Sequence, residues 1–378
     1  MGGVYLHIPF CRQACHYCDF HFSTSLKYRD RMVDTIGREL ELRQAELSGE
    51  VATIYFGGGT PSLLLPEQIA YFLNEIHKHF SVVSRPEITL EANPDDMNGE
   101  LLRAWKKAGI NRLSIGVQSF FEEDLIWMNR AHNAAQAESS VKEAMEVFDN
   151  ISVDLIYGLP EQKEGRWEQN LDKALGMQVP HLSCYALTVE PGTALNHFIE
   201  TKQSKPVDEE QAWKDYNLLL DKTEKEGYIN YEFSNFGRLG YFCENNQAYW
   251  SGKPYLGVGP SAHSFDGLTR SWNVSHNLHY MKGIEAGDLP LDRETLTLAN
   301  RFNEYVMTRL RTASGISLSE VSSRFGPKYV DYLLDQARGH LTQHLLFRDE
   351  DKLMVSRKGK FLTDGISSDL FLLPLSGN

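Results

Sequence analysis

The first half of the chain alternates short apolar runs with longer stretches of helical periodicity. VYLHIPF (4–10) precedes an amphipathic pattern over 28–47, VATIYF (51–56) one over 66–79, and EITLEA (87–92) one near 98–108. RLSIGV (112–117) leads into helical stretches over 122–147, SVDLIYG (152–158) into a helix near 165–177, and HLSCYAL (181–187) closes the series. Six β-branched or aromatic runs at this spacing predict βα units and a parallel sheet with helices on its outer face. Polar and glycine residues gather just after the strands, at the edge where ligands bind in such folds.

After 190 the rhythm loosens. A charged helix over 208–226 leads to YINYEFSNFG, an aromatic-rich strand candidate, then to ENNQAYW and YLGVGPSAHSF. Past about 290 the pattern is that of a separate unit. RFNEYVMTRLR, ISLSEVSSRFG and KYVDYLLDQARGHL read as helices, and LMVSRKGKFLTDG as two short strands or a strand and turn. Three helices and a small hairpin predict a winged-helix-like module. The expected division is a core over 1–190, an extension over 191–290 carrying NNQAYW and GVGPSAHS, and a C-terminal module over 291–378.

Charge and cysteine usage restrict what this architecture does. The 378 residues carry a formal net charge of −13, which repels phosphate backbones, so no nucleic-acid partner is expected. Residues 301–361 hold eleven Lys or Arg against seven Asp or Glu, and this local +4 reads as a solvated face or a surface for docking protein. No run approaches ~18 apolar residues and VYLHIPF is no secretory leader, so a cytoplasmic location is expected. Five cysteines are too few for a disulfide scaffold, and Cys11, Cys15 and Cys18 fall within eight residues of one another, which suggests a metal site in a reducing compartment.

Thiolates at i, i+4 and i+7 can bind three irons of a cubane cluster and leave the fourth without a protein ligand. A zinc site completed by His16 or His21 is the alternative. Three inert core cysteines fit poorly beside Pro9, Arg12, His16 and Asp19. HIPFCRQACHYCDF directly after a first strand resembles the radical S-adenosylmethionine superfamily. That resemblance implies a [4Fe–4S] cluster whose open iron binds the methionine moiety, and an electron donor wherever the sulfonium is cleaved to a 5′-deoxyadenosyl radical. It further implies that Gly57, Gly58, Gly59 and Thr60 contact the methionine amino group and that Glu91 in EANP holds the ribose. Gln118 in GVQSF, Arg130 in MNRAHN and Asp154 in DLIYGLP resemble family positions lining the same cavity, and Tyr5 and Ala186 complete the matched set. Taken singly, the glycine run also reads as a turn and Glu91 as a solvated carboxylate.

YLHIPFCRQACHYCDF, GGGTPS, EANPD, GVQSF, DLIYGLP, YALT and GVGPSAHSF together resemble the oxygen-independent coproporphyrinogen III dehydrogenase-like group. The fold implied is α/β, a partial (β/α)6 TIM-like radical SAM barrel with a C-terminal, mainly helical, winged-helix-like module. Within the group, three features favour its haem-chaperone branch over the decarboxylating dehydrogenases. Phe20 stands where the dehydrogenases carry a fourth cysteine. The chain begins almost on its first strand. Asn245, Asn246, Gln247, Ala248, Tyr249 and Trp250 follow the chaperones' HNxxYW pattern except at Asn245. The branch implies haem as a third ligand and a haem-accepting protein as partner; a transient membrane-associated acceptor and a homodimer are further expectations. An amide is a poor axial ligand for haem iron, so Cys243 and His263 become the candidate ligands, with Asn246 nearby and Tyr249 and Trp250 packing against the ring.

Overall fold

The computed structural model describes residues 1–373. Strands β1 (Gly2–Ile8), β2 (Val51–Gly58), β3 (Val82–Ala92), β4 (Arg112–Gln118), β5 (Ile151–Tyr157) and β6 (His181–Ala186) lie side by side in that order, each parallel to the next. Helices Arg29–Leu42, Pro66–His79, Gly99–Ala108, Ala134–Val147 and Arg166–Gly176 make the crossovers. Both faces of these strands are largely buried, which is why they read as near-continuous apolar runs. The helices begin and end where their local chemistry dictates. The Asn98 side chain accepts from the amides of Glu100 and Leu101, and Gly109, at φ +121°, closes the same helix.

Further strands extend this partial barrel on both sides. Next come β7 (Ile229–Glu232) and β8 (Asn235–Gly237), then β9 (Tyr255–Val258), β10 (His263–Phe265), β11 (Thr269–Asn273) and β12 (Leu291–Thr295). The twelve-stranded order is β12-β11-β10-β9-β1-β2-β3-β4-β5-β6-β8-β7. β9 runs parallel to β1, while the outer pairs are antiparallel. YINYEFSNFG is therefore a hairpin rather than one strand. The Glu232 carboxylate turns the chain by accepting from the Ser234 amide (3.3 Å) and the Asn235 side chain.

Helix Leu298–Leu310 starts a second hydrophobic core around Phe302, Val306, Val321, Leu333 and Leu353. Helices Leu318–Phe325 and Pro327–Thr342 and the small antiparallel sheet β13 (Ile316–Ser317), β15 (Lys352–Val355), β14 (Leu346–Asp349) complete a winged-helix-like unit. Of the module expected over 291–378, residues 374–378 lie outside the described residues. Leu291–Thr295 pairs with β11 in the large sheet before the second core begins. The two cores are stitched along β7: the Phe233 amide donates to the Arg311 carbonyl (2.8 Å) and the Ala313 amide to the Tyr231 carbonyl (2.9 Å). Among the described residues no helix is long and apolar enough to cross a membrane.

Candidate functional site

Two adjoining cavities lie inside the barrel, the first at the carboxyl end of the parallel strands and the second reaching back to Gly3 and Thr53. The first, about 470 Å³, is walled by Cys11, Cys15 and Cys18, by Gly58 at the end of β2 with Gly59 and Thr60 after it, and by the ends of β3 to β6. Glu91, Gln118, Arg130, Asp154 and Ala186 all line it. Gly57 remains in the strand, its Cα against the Tyr5 ring, so that a Cβ there would come within 2.8 Å of that ring. A Cβ on Gly59 would meet the Ile8 and Phe10 carbonyls at under 3.0 Å, and Gly58 sits at φ +105°. The glycines thus let β2 turn directly beneath the cysteine loop.

The loop itself is braced from two sides. Arg12 Nε donates to Asp96 Oδ1 (2.6 Å) and Ser62 Oγ to Asp96 Oδ2 (2.7 Å), tying the loop to the segments after β2 and β3. The His16 amide donates to the Met128 carbonyl (3.1 Å) and Asn129 Nδ2 to the Ala14 carbonyl (2.7 Å). These contacts come from MNRAHN, between helix Glu122–Trp127 and the next helix, where Asn129 takes a positive φ of 57°. Arg130 ends the brace: it donates to Cys15 Sγ (3.3 Å), Asn93 Oδ1 (2.7 Å) and the Gly116 carbonyl (2.8 Å). Thr60 Oγ1 donates to Cys11 Sγ (3.4 Å). Asp96, Asn93 and Asn129 escaped the sequence reading because a bracing role needs no motif, only proximity.

These residues fit a cubane cluster better than a single ion. A cubane takes one thiolate per iron and so spreads its ligands, and Cys11, Cys15 and Cys18 share one cavity. His16 Nδ1 donates to the Trp127 carbonyl (2.8 Å) and its ring meets Phe198 edge-on, His21 Nε2 donates to Asn277 Oδ1 (2.7 Å), and neither zinc candidate lines the cavity that the three cysteines line. All three cysteines are free of disulfides. Burial pushes the Cys11 thiol up to about 11 and the Cys18 thiol up to about 12; a soft metal would displace those protons.

Glu91 forms the boundary with the second cavity, which is about 750 Å³, and lines both, as do Tyr185, Asp19 and Phe20. Tyr55 reaches Glu91 from the second cavity, its hydroxyl donating to Oε1 (2.8 Å). Tyr5 lies in this second cavity, stacked on Tyr55 with ring centroids 6.0 Å apart. Burial is the main force pushing the Glu91 carboxyl up to about 7, with Asp154 adding to it and the Tyr55 bond opposing. Asp154, also raised chiefly by burial, is held by Ser114 (3.0 Å) and Ser152 (3.2 Å). Between about 4.5 and 7 folded Glu91 keeps a proton that the unfolded chain releases, so the ligand-free protein should lose stability as pH rises through that window. Glu91→Gln removes this dependence. Denaturant unfolding should show the variant gaining on the wild type from pH 5 to pH 8, by on the order of 3 kcal/mol at full effect; parallel curves would disprove the assignment.

The rest of the second cavity is aromatic and includes Asn245, Asn246, Tyr249 and Trp250 from helix Glu244–Trp250, together with His263. Tyr249 is half exposed and meets Trp250 edge-on at 5.4 Å. Asn245 accepts from Thr53 Oγ1 (3.1 Å). The histidines His7, His21 and His263 reach this wall. His7 Nε2 donates to the His21 carbonyl (2.8 Å) and His21 is bound to Asn277, whereas the His263 ring, stacked on Trp272, makes no hydrogen bond to a described residue. Cys243 does not belong here. It is fully buried outside the cavity, it caps helix Glu244–Trp250 by accepting from the Asn246 amide, and its thiol donates to Glu87 (3.5 Å). Position N-cap turns the side chain back toward the helix amides, so the sequence expectation for Cys243 is corrected.

The radical SAM superfamily profile matches residues 5–174. The heme chaperone HemW of Mycobacterium tuberculosis H37Rv is 34% identical over 371 residues, covering 96% of this chain and 93% of that protein. The heme chaperone HemW of Bacillus subtilis 168 is 33% identical over 368 residues, covering 96% and 97%. In fold, the chain is similar to the solved coproporphyrinogen III oxidase HemN of Escherichia coli, with a TM-score of 0.85 and 23% identity over 98% of this chain and 89% of that one.

Proposed function

We propose a haem-carrying function from a plain premise: this chain belongs to the heme chaperone HemW family, within the radical SAM superfamily. In this reading the protein binds haem and delivers it to an acceptor protein, and it also binds a [4Fe–4S] cluster and S-adenosylmethionine. The observation that carries it is the pair of adjoining cavities, one thiol- and glycine-lined, the other aromatic and bearing the NNQAYW helix. Cys11, Cys15 and Cys18 would hold the cluster, which when bound supplies a low-potential electron. Gly58, Gly59, Thr60, Glu91, Gln118, Arg130, Asp154 and Ala186 surround the space left for S-adenosylmethionine, with Gly57 and Tyr5 packed behind.

Haem takes the second cavity, its apolar ring against Tyr249 and Trp250, with Asn246 beside it and His263 as the iron ligand. A cytoplasmic location, an electron donor, a membrane-associated acceptor and a homodimer belong to the same reading. Anaerobic reconstitution tests it. The loaded protein should bind haem at micromolar concentration and should not decarboxylate coproporphyrinogen III; vinyl products would return it to the dehydrogenases. On the same sample, Glu91→Ala should weaken S-adenosylmethionine about 10- to 100-fold by calorimetry. Iron content should stay near wild type, because the carboxylate touches no thiol. Unchanged affinity would demote Glu91 to a wall residue.

A further inference from the structure

Arg311 belongs by sequence to the C-terminal unit, directly after helix Leu298–Leu310, yet its side chain lines the second cavity of the barrel. Its guanidinium lies over two aromatic rings, 5.4 Å from the Trp250 centroid and 5.3 Å from that of Phe233. Its backbone carbonyl is pinned by the Phe233 amide (2.8 Å). On the far side Nη1 donates to Asp364 Oδ1 (2.8 Å). Nε is buried and has no partner. Nη2 makes no hydrogen bond or salt bridge to a described residue, so it is the group left to take a carboxylate.

Lys253 lines the same cavity and forms no salt bridge with a described residue. Of the acids that line the cavity, Glu232 is already engaged by the Ser234 amide and the Asn235 side chain, and Asp19 and Glu91 lie at the boundary with the first cavity. A cavity with an aromatic wall and two cations suits a flat apolar molecule bearing two carboxylates.

We propose that Arg311 binds a propionate carboxylate of the tetrapyrrole through Nη2, with Lys253 taking the second propionate, so that the C-terminal unit completes the haem cavity. This rests on the haem reading above. The probe is a pair of molecules with one ring and one iron, ferric haem and its dimethyl ester, titrated into the full-length protein. Wild type should bind haem at least about tenfold more tightly than the ester. Arg311→Gln should lose that preference by weakening haem alone, and Arg311→Lys, which keeps the charge and loses the guanidinium, should fall between.

Equal weakening of both ligands in Arg311→Gln would reduce Arg311 to packing and overturn the proposal. So would a wild type that binds haem and ester alike. A wild type that binds neither removes the haem reading itself, and this assignment with it. Unchanged cluster content in the variants, read from iron and sulfide, separates a local loss from a misfolded chain.

Discussion

Serine at any one of positions 11, 15 or 18 should strip most of the iron and sulfide from the reconstituted protein. Hydroxyl oxygen is a hard donor and binds iron–sulfur clusters poorly. The loss should exceed the about 10- to 100-fold that removal of an outer-shell partner costs a metal site. The loop around the cysteines would stay in place, because Asp96, Met128 and Asn129 hold it through other atoms. Cys184→Ser is the control: that thiol is buried in β6 and lines neither cavity. Iron and sulfide analysis with the visible spectrum of anaerobic samples checks the result. A Cys184 variant that alone lost its cluster would move the metal site elsewhere.

The second large effect is expected at His263. It is the cavity histidine whose ring makes no hydrogen bond to a described residue, so it can turn a nitrogen to iron without breaking one. His263→Ala should shift the Soret band of the haem complex and lower affinity. Asn245→Ala should leave the band in place, since an amide makes a weak ligand. Cys243→Ala should also leave it in place, for a geometric reason: the thiol is sealed against Glu87 beneath the helix. The absorption spectra of the three haem-loaded variants, at equal cluster content, decide the matter. A shift confined to Asn245→Ala would overturn the assignment.

Much of this arrangement was legible in the chain. The six parallel strands announce themselves because burial on both faces demands unbroken apolar runs. Glu91, Gln118 and Asp154 stand out because each is polar on or at the end of such a run. What sequence hid depends on long-range closure. YINYEFSNFG reads as one strand until Glu232 is seen to hold the turn, and β9 joins β1 across some 250 positions. Cys243 looked like a ligand because it stands two residues from Asn245, yet the first turn of a helix faces residues so spaced in different directions. Arg311 carried no signal at all, since only the docking of the second unit along β7 brings it to the barrel.

The partition between the cavities is one residue thick where Glu91 and Tyr185 face both sides. Tyr55 holds the Glu91 carboxylate from one side; a ribose hydroxyl arriving from the other would compete for the same oxygens. A guest in either chamber therefore changes what its neighbour finds on the shared wall: a tyrosine hydroxyl set free, or a carboxylate turned away. Loading one chamber would then bear on the other through this shared wall.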